Sequence, residues 1–503
     1  MRYTVDKNGV RSGALPGDKR FVRRIYRPLR LRRTLGVPAL FSPGYGNVGS
    51  SIYYALGVTA TFALGATPIA LSLAGVFFVL TVLTYAEATV AVPEAGGASN
   101  FARQGFNELV SFITGWGTLL SYTVTISISS FSAAAYLSIF FPVLESTRAD
   151  VVFAVVAILL LMGLNVVGVN EAAFVSIVFA VIDLTTEIIL VIVGAIFLIN
   201  FKLLIDQIHW GTAPTLGNFI HGAAFAMVAY TGIETISNLS EEAADPAHNV
   251  PRAYAVLIFA VLVLFVGISL VAMSAMPIYP CQLADHCPAG QHFTTLLATK
   301  YQTDPVAGIA HALPHPFSNI LLPMVAILAS SILLIAANAG VLGASRLSFS
   351  MGTYRQVPEV LNHVHKRFKT PMVAILFFGC VAILVVLPGD ITQLTALYIF
   401  GATLGFTMAH ASLIGMRLRE TPEHRSSFRL PFNIPFHGKD IPITAVIGGL
   451  GTFSVFCLIA LTDQFGRYFG FGWMIVGVGV YVWYRRKQHL SLTESAERQF
   501  EMH

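Results

Sequence analysis

The sequence predicts an all-α integral membrane protein of about twelve transmembrane helices, arranged as a 5+5 inverted repeat in which helices 1 and 6 are broken. The 503-residue chain is 55% hydrophobic and only 11% charged, whereas soluble domains carry about 25% charged residues. The apolar residues fall in long runs, each near or above the roughly 20 residues that cross a bilayer as a helix. Glycine and serine interrupt the first and the sixth of these runs.

The apolar runs are separated by polar loops at fairly even intervals. A transmembrane β-barrel would instead show short segments of alternating hydrophobicity, so helical spans are expected. By the length rule the approximate limits of the predicted spans are 38–64, 68–92, 109–141, 150–168, 173–199, 215–240, 251–276, 318–345, 371–388, 390–416, 441–462 and 468–484.

Basic residues predict the orientation of the chain in the membrane. They cluster before the first span, after the eighth and tenth spans and in the tail. All these clusters lie on one side if both termini are cytoplasmic, as the positive-inside rule requires. The net charge of +5 is therefore explained by topology and not by binding to nucleic acid. The expected partner is the lipid bilayer, and the expected location is the cell membrane (plasma or inner).

The expected divisions of the chain are a basic cytoplasmic arm at 1–36, a transport core at 37–420, a loop and two additional helices at 421–487, and a cytoplasmic tail at 488–503.

The two interrupted spans indicate a transport site. The first contains the segment from Ser42 to Ser51, and the sixth contains Ala229 to Glu234. Gly, Ser and Asn weaken a helix, and non-helical backbone is tolerated in a bilayer only where it is buried in protein or lines a cavity. Five spans separate equivalent positions, and five is odd, so the second set inserts upside down, with a substrate site at the repeat interface. Close helix packing through glycine is the alternative.

Backbone groups freed at these interruptions are the predicted ligands of a small solute. Free N–H groups around Gly49 to Ser51, at the start of a helix, suit a carboxylate. Carbonyl groups at Val48 and along Tyr230 to Gly232 suit a cation or an ammonium group. Tyrosines at the site are expected as walls or gates, with ordinary packing as the alternative for each. The predicted substrate-binding residues are Asn47, Val48, Gly49, Ser50, Ser51, Tyr54, Tyr122, Thr125, Ser129, Tyr230, Thr231, Gly232 and Tyr398.

Carboxylates inside predicted spans are costly and therefore functional candidates. Glu87, Asp183 and Glu234 lie in such positions, and Glu187 follows Asp183 by four residues on the same helix face. We predict ion-coupling roles for Asp183, Glu234 and Asn338. The alternative for Asp183 is a hydrogen-bonded structural acid, because a buried carboxyl can remain neutral.

The four cysteines do not form a metal-binding pattern. Cys281 and Cys287 share a polar loop predicted to lie outside, where a disulfide is possible. Cys380 and Cys457 lie in apolar runs and are interpreted as small core residues. The sequence shows no nucleophile, metal or cofactor constellation and no selectivity-filter motif. We therefore expect no cofactor, no metal and no enzymatic activity.

Several motifs resemble those of the amino acid–polyamine–organocation (APC) superfamily. The patterns concerned are "YaEl…P.aGG.y", "EE…NP.rn.PrA" and "N…sR…a…g.lP…l..vh.r..tP". The resemblance extends from about residue 44 to residue 420 and implies the leucine-transporter fold, alternating access and uptake driven by an ion gradient. The matching segments are Tyr85-Ala86-Glu87, Pro93-Glu94-Ala95-Gly96-Gly97-Ala98, Glu241-Glu242-Ala243-Ala244-Asp245-Pro246, Asn249-Val250-Pro251-Arg252-Ala253, Asn338, Ser345-Arg346, Val357-Pro358, His365 and Thr370-Pro371.

Two positions depart from this family pattern. Ser51 stands where permeases often have the second glycine of G-[SA]-G-I-F, which narrows the backbone approach to a carboxylate. Asp183 stands at or near the position where proton-coupled members have a lysine.

The family resemblance as a whole implies a permease for amino acids that is coupled to H+ or Na+. Neutral amino acids are the default solute, because no charged side chain sits convincingly at the central site.

A potassium–proton symporter branch of the same superfamily is the alternative. That branch carries carboxylates in the first and third spans, where this chain has Asn47 and Ser121, so a bare cation is less well compensated. A solute sensor that does not transport is a second alternative on the same fold. The segments similar to the potassium branch are Ser50-Ser51-Ile52-Tyr53-Tyr54, Tyr122, Thr125, Ser129, Thr231-Gly232-Ile233-Glu234 and Leu397-Tyr398.

Overall fold

The computed structural model describes residues 4–5, 11–12, 34–168, 173–282, 291–420, 426–436 and 438–494, and in the helix that begins at 173 it describes side chains from 177. The chain divides into two units, Met1–Arg32 and Arg33–His503. In the first unit, strand β1 (Thr4–Val5) pairs antiparallel with β2 (Arg11–Ser12).

The second unit is built from helices. Short antiparallel pairs connect some of them: β3 (Tyr279–Pro280) with β4 (Phe293–Thr294), and β5 (Asn433–Phe436) with β6 (Lys439–Pro442). The helices are α1 (Val37–Gly49), α2 (Ile52–Ala63), α3 (Thr67–Ala91), α4 (Ala98–Gly105), α5 (Glu108–Leu137), α6 (Thr147–Val167), α7 (Ala173–Phe197), α8 (Phe201–Asp206), α9 (Leu216–Ala226), α10 (Glu234–Asn238), α11 (Pro246–Ala275), α12 (Pro305–Ala312), α13 (Phe317–Thr353), α14 (Glu359–Asn362), α15 (Met372–Val386), α16 (Ile391–Arg419), α17 (Ile443–Thr462) and α18 (Gln464–Lys487).

The described helices confirm an all-α membrane protein. Ten helical segments are long and apolar enough to cross a bilayer. The first of them, Val37–Ala91, contains two passes, because the chain turns at Leu64 (φ 49°) between α2 and α3. Helix α15 is a shorter apolar helix of 15 residues. With that second pass and α15 included, every one of the predicted spans corresponds to a described helix.

The helices differ in how deeply they lie in the bundle. The most apolar stretch of α5 is 78% buried, whereas those of α17 and α18 are 28% and 22% buried. Helix α5 packs tightly on α13, because a Cβ atom added at Gly343 would lie 2.7 Å from the ring of Tyr122. Small residues permit such close approach of helices in membranes. The core of the protein therefore lies around α5 and α13, and the last two helices are peripheral.

Candidate functional site

The first helix break is tight. Helix α1 ends at Gly49 and α2 begins at Ile52, yet Ser50 (φ −57°) and Ser51 (φ −70°) keep right-handed helical dihedrals. The Ser51 N–H donates to the Val48 carbonyl at 3.1 Å, and the Ser50 hydroxyl donates to the Asn47 carbonyl at 3.0 Å. The expectation that Val48 and Ser51 present free backbone groups is therefore wrong in this conformation, because a short turn uses them.

The second break is open. After α9, a 3-10 turn over Met227–Tyr230 leads to Thr231 in an extended conformation (φ −86°, ψ 160°). Gly232 then has φ 102°, a region that residues with a Cβ atom rarely adopt. Helical structure resumes only at Glu234. The sequence signal at Thr231 and Gly232 thus marks a real interruption of the sixth span.

The two breaks contact each other through Asn47. Its side-chain amide donates to the Thr235 hydroxyl at 2.8 Å and to the Gly232 carbonyl at 3.4 Å. A Cβ atom at Gly232 would lie only 2.8 Å from the Asn47 Cγ atom. The Asn47 Oδ1 atom is buried and has no partner among the described side chains and backbone. Gly232 therefore permits the first and sixth spans to meet at their interruptions.

A cavity of about 180 Å³ lies beside this junction. Asn47, Tyr122, Asn238 and Asn338 contribute polar groups to its wall, and isoleucine, leucine and alanine contribute half of the remaining residues. It extends to Arg346, which is exposed. Among the described residues that line the cavity, Arg346 is the one that carries a charge. The cavity thus extends from the junction to an exposed residue, and its described lining carries one charge.

Predicted residues from two other helices lie around the breaks. The Tyr122 hydroxyl accepts a hydrogen bond from Asn238 at 2.6 Å. The Tyr398 hydroxyl of α16 lies beside the hydroxyls of Thr125 and Thr231. Helices α5 and α16 and the second break therefore contribute to one cluster.

Two further predicted hydroxyl groups are buried in the first and third spans. The Tyr54 hydroxyl donates to the Ser51 Oγ atom at 3.1 Å. Ser129 is 1% exposed, and its hydroxyl has no partner within the described part of the chain. A buried hydroxyl without a partner is costly, and the role of Ser129 as a solute ligand stays a prediction.

Two predicted residues use their side-chain polar atoms in contacts with other helices. The Tyr230 hydroxyl donates to the Leu71 carbonyl of α3 at 2.9 Å, so only the backbone of Tyr230 lies at the break. The Asn338 carboxamide oxygen accepts from Asn165 of α6 at 2.6 Å, which commits the atom that would bind a cation. The coupling role of Asn338 stays a prediction.

The three candidate carboxylates have different surroundings. Glu87 forms a buried ion pair with Arg417 and accepts from the Leu430 N–H at 2.8 Å, which is a structural arrangement. Glu234 begins α10 and is 6% exposed, and its Oε2 atom has no partner among the residues that the structure describes. The tyrosines whose electrostatic surroundings include Glu234 are Tyr85, Tyr122, Tyr254 and Tyr398.

Asp183 belongs to a buried cluster that the sequence showed only in part. The Tyr53 hydroxyl donates to Asp183 at 2.7 Å, and the Tyr45 hydroxyl donates to Glu187 at 2.7 Å. Both carboxyl groups are 1% exposed. The sequence analysis missed Tyr45 as a functional candidate. Its position four residues before Gly49 was a signal, since it places the tyrosine ring against a residue without a side chain.

The described cysteines lie apart from this cavity's lining. Cys281 is disulfide-bonded, and its predicted partner Cys287 lies outside the described residues. Cys380 and Cys457 are free, and Cys380 is exposed rather than a core residue. Within the described ranges, no group of three or more His, Cys, Asp or Glu side chains is arranged to hold a metal ion.

Comparison with known proteins identifies the family. The family model described as "Amino acid permease" matches residues 45–491. The chain belongs to the amino acid permease family. It is 27% identical over 480 residues to the methylthioribose transporter of Bacillus subtilis (strain 168), covering 92% of this chain and 95% of the relative. This permease is therefore a multi-pass membrane transporter of the APC superfamily and not an enzyme.

Other relatives carry different solutes by name. The branched-chain amino acid permease BcaP of Bacillus subtilis (strain 168) is 23% identical over 480 residues, covering 91% of this chain and 94% of the relative. The low-affinity putrescine importer PlaP of Escherichia coli (strain K12) is 25% identical over 394 residues, covering 77% and 81%. Family membership thus establishes transport of a small solute and leaves its identity to the site.

Proposed function

We propose that this permease moves neutral amino acids across the cell membrane by alternating access, coupled to a proton or sodium gradient. The observation that carries the proposal is the junction of Asn47 with Gly232. It brings two interrupted spans together beside a cavity whose described lining has Arg346 as its one charged residue. Transporters with inverted repeats bind their solutes at such interruptions.

The chemistry of the cavity favours a solute without net charge. The Asn47 Oδ1 atom is a buried acceptor without a partner among the described residues, and the apolar part of the wall suits an aliphatic side chain. No carboxylate is present in the described lining, so a dication such as putrescine would be poorly compensated. The same absence argues against a bare potassium ion at this position.

The orientation expected from the basic loops assigns a side of the membrane to the Arg346 end of the cavity. With both termini in the cytoplasm, the end of the cavity at Arg346 faces the cytoplasm. The conformation described here is then accessible from inside, and the opposite conformation must close this route and open another. Asp183 and Glu234 are the proposed coupling residues, since both are buried carboxyls in spans.

Uptake into proteoliposomes tests the proposal. Purified protein is reconstituted, and uptake of radiolabelled leucine and alanine is measured with an imposed pH gradient, with a sodium gradient and with neither, against protein-free liposomes. We expect saturable uptake, stimulation by one of the two gradients and counterflow when unlabelled amino acid is preloaded.

Each other outcome overturns the assignment in a distinct way. Uptake of labelled methylthioribose but of no amino acid would move the solute class to that of the first relative. Potassium-dependent pH change without amino acid exchange would identify a potassium–proton symporter. Thermal stabilisation by an amino acid without any counterflow would identify a sensor.

A further inference from the structure

Helix α7 carries two buried carboxyl groups that face the first span. Asp183 and Glu187 are four residues apart and hence neighbours on one helix face. Each uses one oxygen to accept a tyrosine hydroxyl at 2.7 Å. The other oxygens, Asp183 Oδ2 and Glu187 Oε1, are buried and have no partner among the described residues.

The two tyrosines come from opposite sides of the first break. Tyr45 lies in α1 and Tyr53 lies in α2. The absence of a side chain at Gly49 makes room for the Tyr45 ring, because a Cβ atom there would lie 3.0 Å from Tyr45 Cζ. The carboxyl pair therefore holds both halves of the broken first span against the fifth.

In the part of the chain that the structure describes, no cationic side chain balances this pair. Among the described residues, neither Asp183 nor Glu187 forms an ion pair with Lys, Arg or His. Two neighbouring carboxylates buried without a counter-charge are strongly unfavourable, and such pairs retain a proton. The geometry thus requires a bound proton or another small cation at the pair.

We propose that Asp183 and Glu187 form one proton-sharing pair that binds the transported proton and links its occupancy to the position of the first span. This inference rests on the proposed function, and it selects H+ over Na+ and adds Glu187 to the coupling site. The proton enters from water on one side and forms an O–H bond with a carboxylate oxygen. It leaves to water on the other side when that O–H bond breaks, so no further reactant is needed.

Proton binding at the pair weakens the hydrogen bonds that the two tyrosine hydroxyls donate to it. A carboxylate accepts the Tyr45 or Tyr53 hydroxyl in a charge-assisted hydrogen bond, which is about twice as strong as the bond to a neutral carboxyl. Protonation therefore loosens the contact between the first span and α7. Because the first span also carries Asn47, which contacts Gly232, a change at the pair is transmitted to the solute site.

Other titratable groups near the pair are few. Tyr136 of α5 donates to the Tyr53 carbonyl at 2.8 Å, and Asp304 is in turn near Tyr136. Burial raises the pKa of Asp304 to about 7, so its titration must be separated from that of the pair. The other helices packed against α7 are α11 and α13, and their described charged groups lie near their ends, at His248, Arg252 and Arg346.

The experiment combines a substrate-independent and a transport measurement on the full chain. Infrared spectra of the wild type in lipid, titrated with pH, are expected to show a protonated-carboxyl C=O band that titrates and is altered in both Glu187→Gln and Asp183→Asn. In proteoliposomes both variants are expected to lose pH-gradient-driven accumulation of leucine by about tenfold, because coupling energies span roughly 5- to 150-fold. Counterflow exchange of leucine, which needs no gradient, is expected to persist.

Controls separate the pair from other acids. Glu145→Gln makes the same change at an exposed position and is expected to leave the infrared band and the leucine accumulation unchanged. Asp304→Asn is expected to leave the leucine accumulation unchanged. Absence of a titrating band in the wild type, or a band unchanged in both variants, would overturn the proposal. So would full gradient-driven accumulation in Glu187→Gln, or accumulation driven by sodium alone. Failure of leucine counterflow in the wild type would instead reject the proposed solute while the infrared result stands.

Discussion

The breaks in the first and sixth spans are built differently. In the first break, Ser50 and Ser51 keep helical dihedrals. The Ser50 hydroxyl donates a hydrogen bond to a carbonyl of the preceding turn. In the second, Thr231 is extended and Gly232 has φ 102°. One interruption is therefore a hydrogen-bonded helical turn, whereas the other is a loop. The geometry of the junction accordingly depends most on Gly232, which leaves room for Asn47.

The largest expected effect follows from Gly232→Ala. The new Cβ atom would meet Asn47 Cγ at 2.8 Å in a backbone conformation that costs about 1–3 kcal/mol for such a residue. The strain and the clash together separate the two breaks. We expect leucine counterflow to be abolished and the thermal midpoint to fall, measured in proteoliposomes and by thermal unfolding in detergent.

Glycine substitutions elsewhere are the matched controls. At Gly49 the new Cβ atom would lie 3.0 Å from one ring atom of Tyr45, and the backbone stays helical, so Gly49→Ala is expected to reduce transport less than Gly232→Ala. At Gly479 no atom lies within 4 Å, so Gly479→Ala is expected to have no effect. A Gly49→Ala variant as damaged as Gly232→Ala would contradict the contrast between the breaks.

An intermediate effect is expected from Asn47→Ala. The substitution removes the bonds to Thr235 and Gly232 and leaves buried polar groups unpaired, which costs about 1–3 kcal/mol. We expect a lower thermal midpoint and slower counterflow. The measurement is a double-mutant cycle with Thr235→Val, in which a direct contact gives a coupling of about 0.5–3 kcal/mol. Simple additivity of the two substitutions would show that the Asn47–Thr235 contact does not join the breaks.

The sequence predicted the fold and the second break well because both have local causes. Long apolar runs determine the spans, and a glycine with positive φ is the residue that the loop at Gly232 requires. The first break was predicted less well. Serine in a membrane helix can either interrupt the helix or bond back to its own backbone, and the sequence does not distinguish these outcomes at Ser50 and Ser51.

The pairing of helix 1 with the fifth span was beyond sequence reasoning for a different reason. Tyr45 and Glu187 are 142 residues apart, and no periodicity reports a contact at that separation. The local signals were present, since Glu187 follows Asp183 by one helical turn and Tyr45 precedes Gly49 by one. Only the packing of α1 on α7 shows that these signals belong together.

The smallest expected effect is that of Ser50→Ala, and it tests the tight first break most directly. The Ser50 hydroxyl donates to a carbonyl three residues earlier, and alanine is the better helix former by less than about 0.7 kcal/mol. The lost bond and the gained propensity nearly cancel, so the thermal midpoint and the counterflow rate are expected to remain close to the wild-type values. Loss of leucine counterflow in a variant that keeps its thermal midpoint would mean that this hydroxyl contacts the solute. The first break would then open during transport as widely as the second, and the difference between the two breaks would belong to one conformation alone.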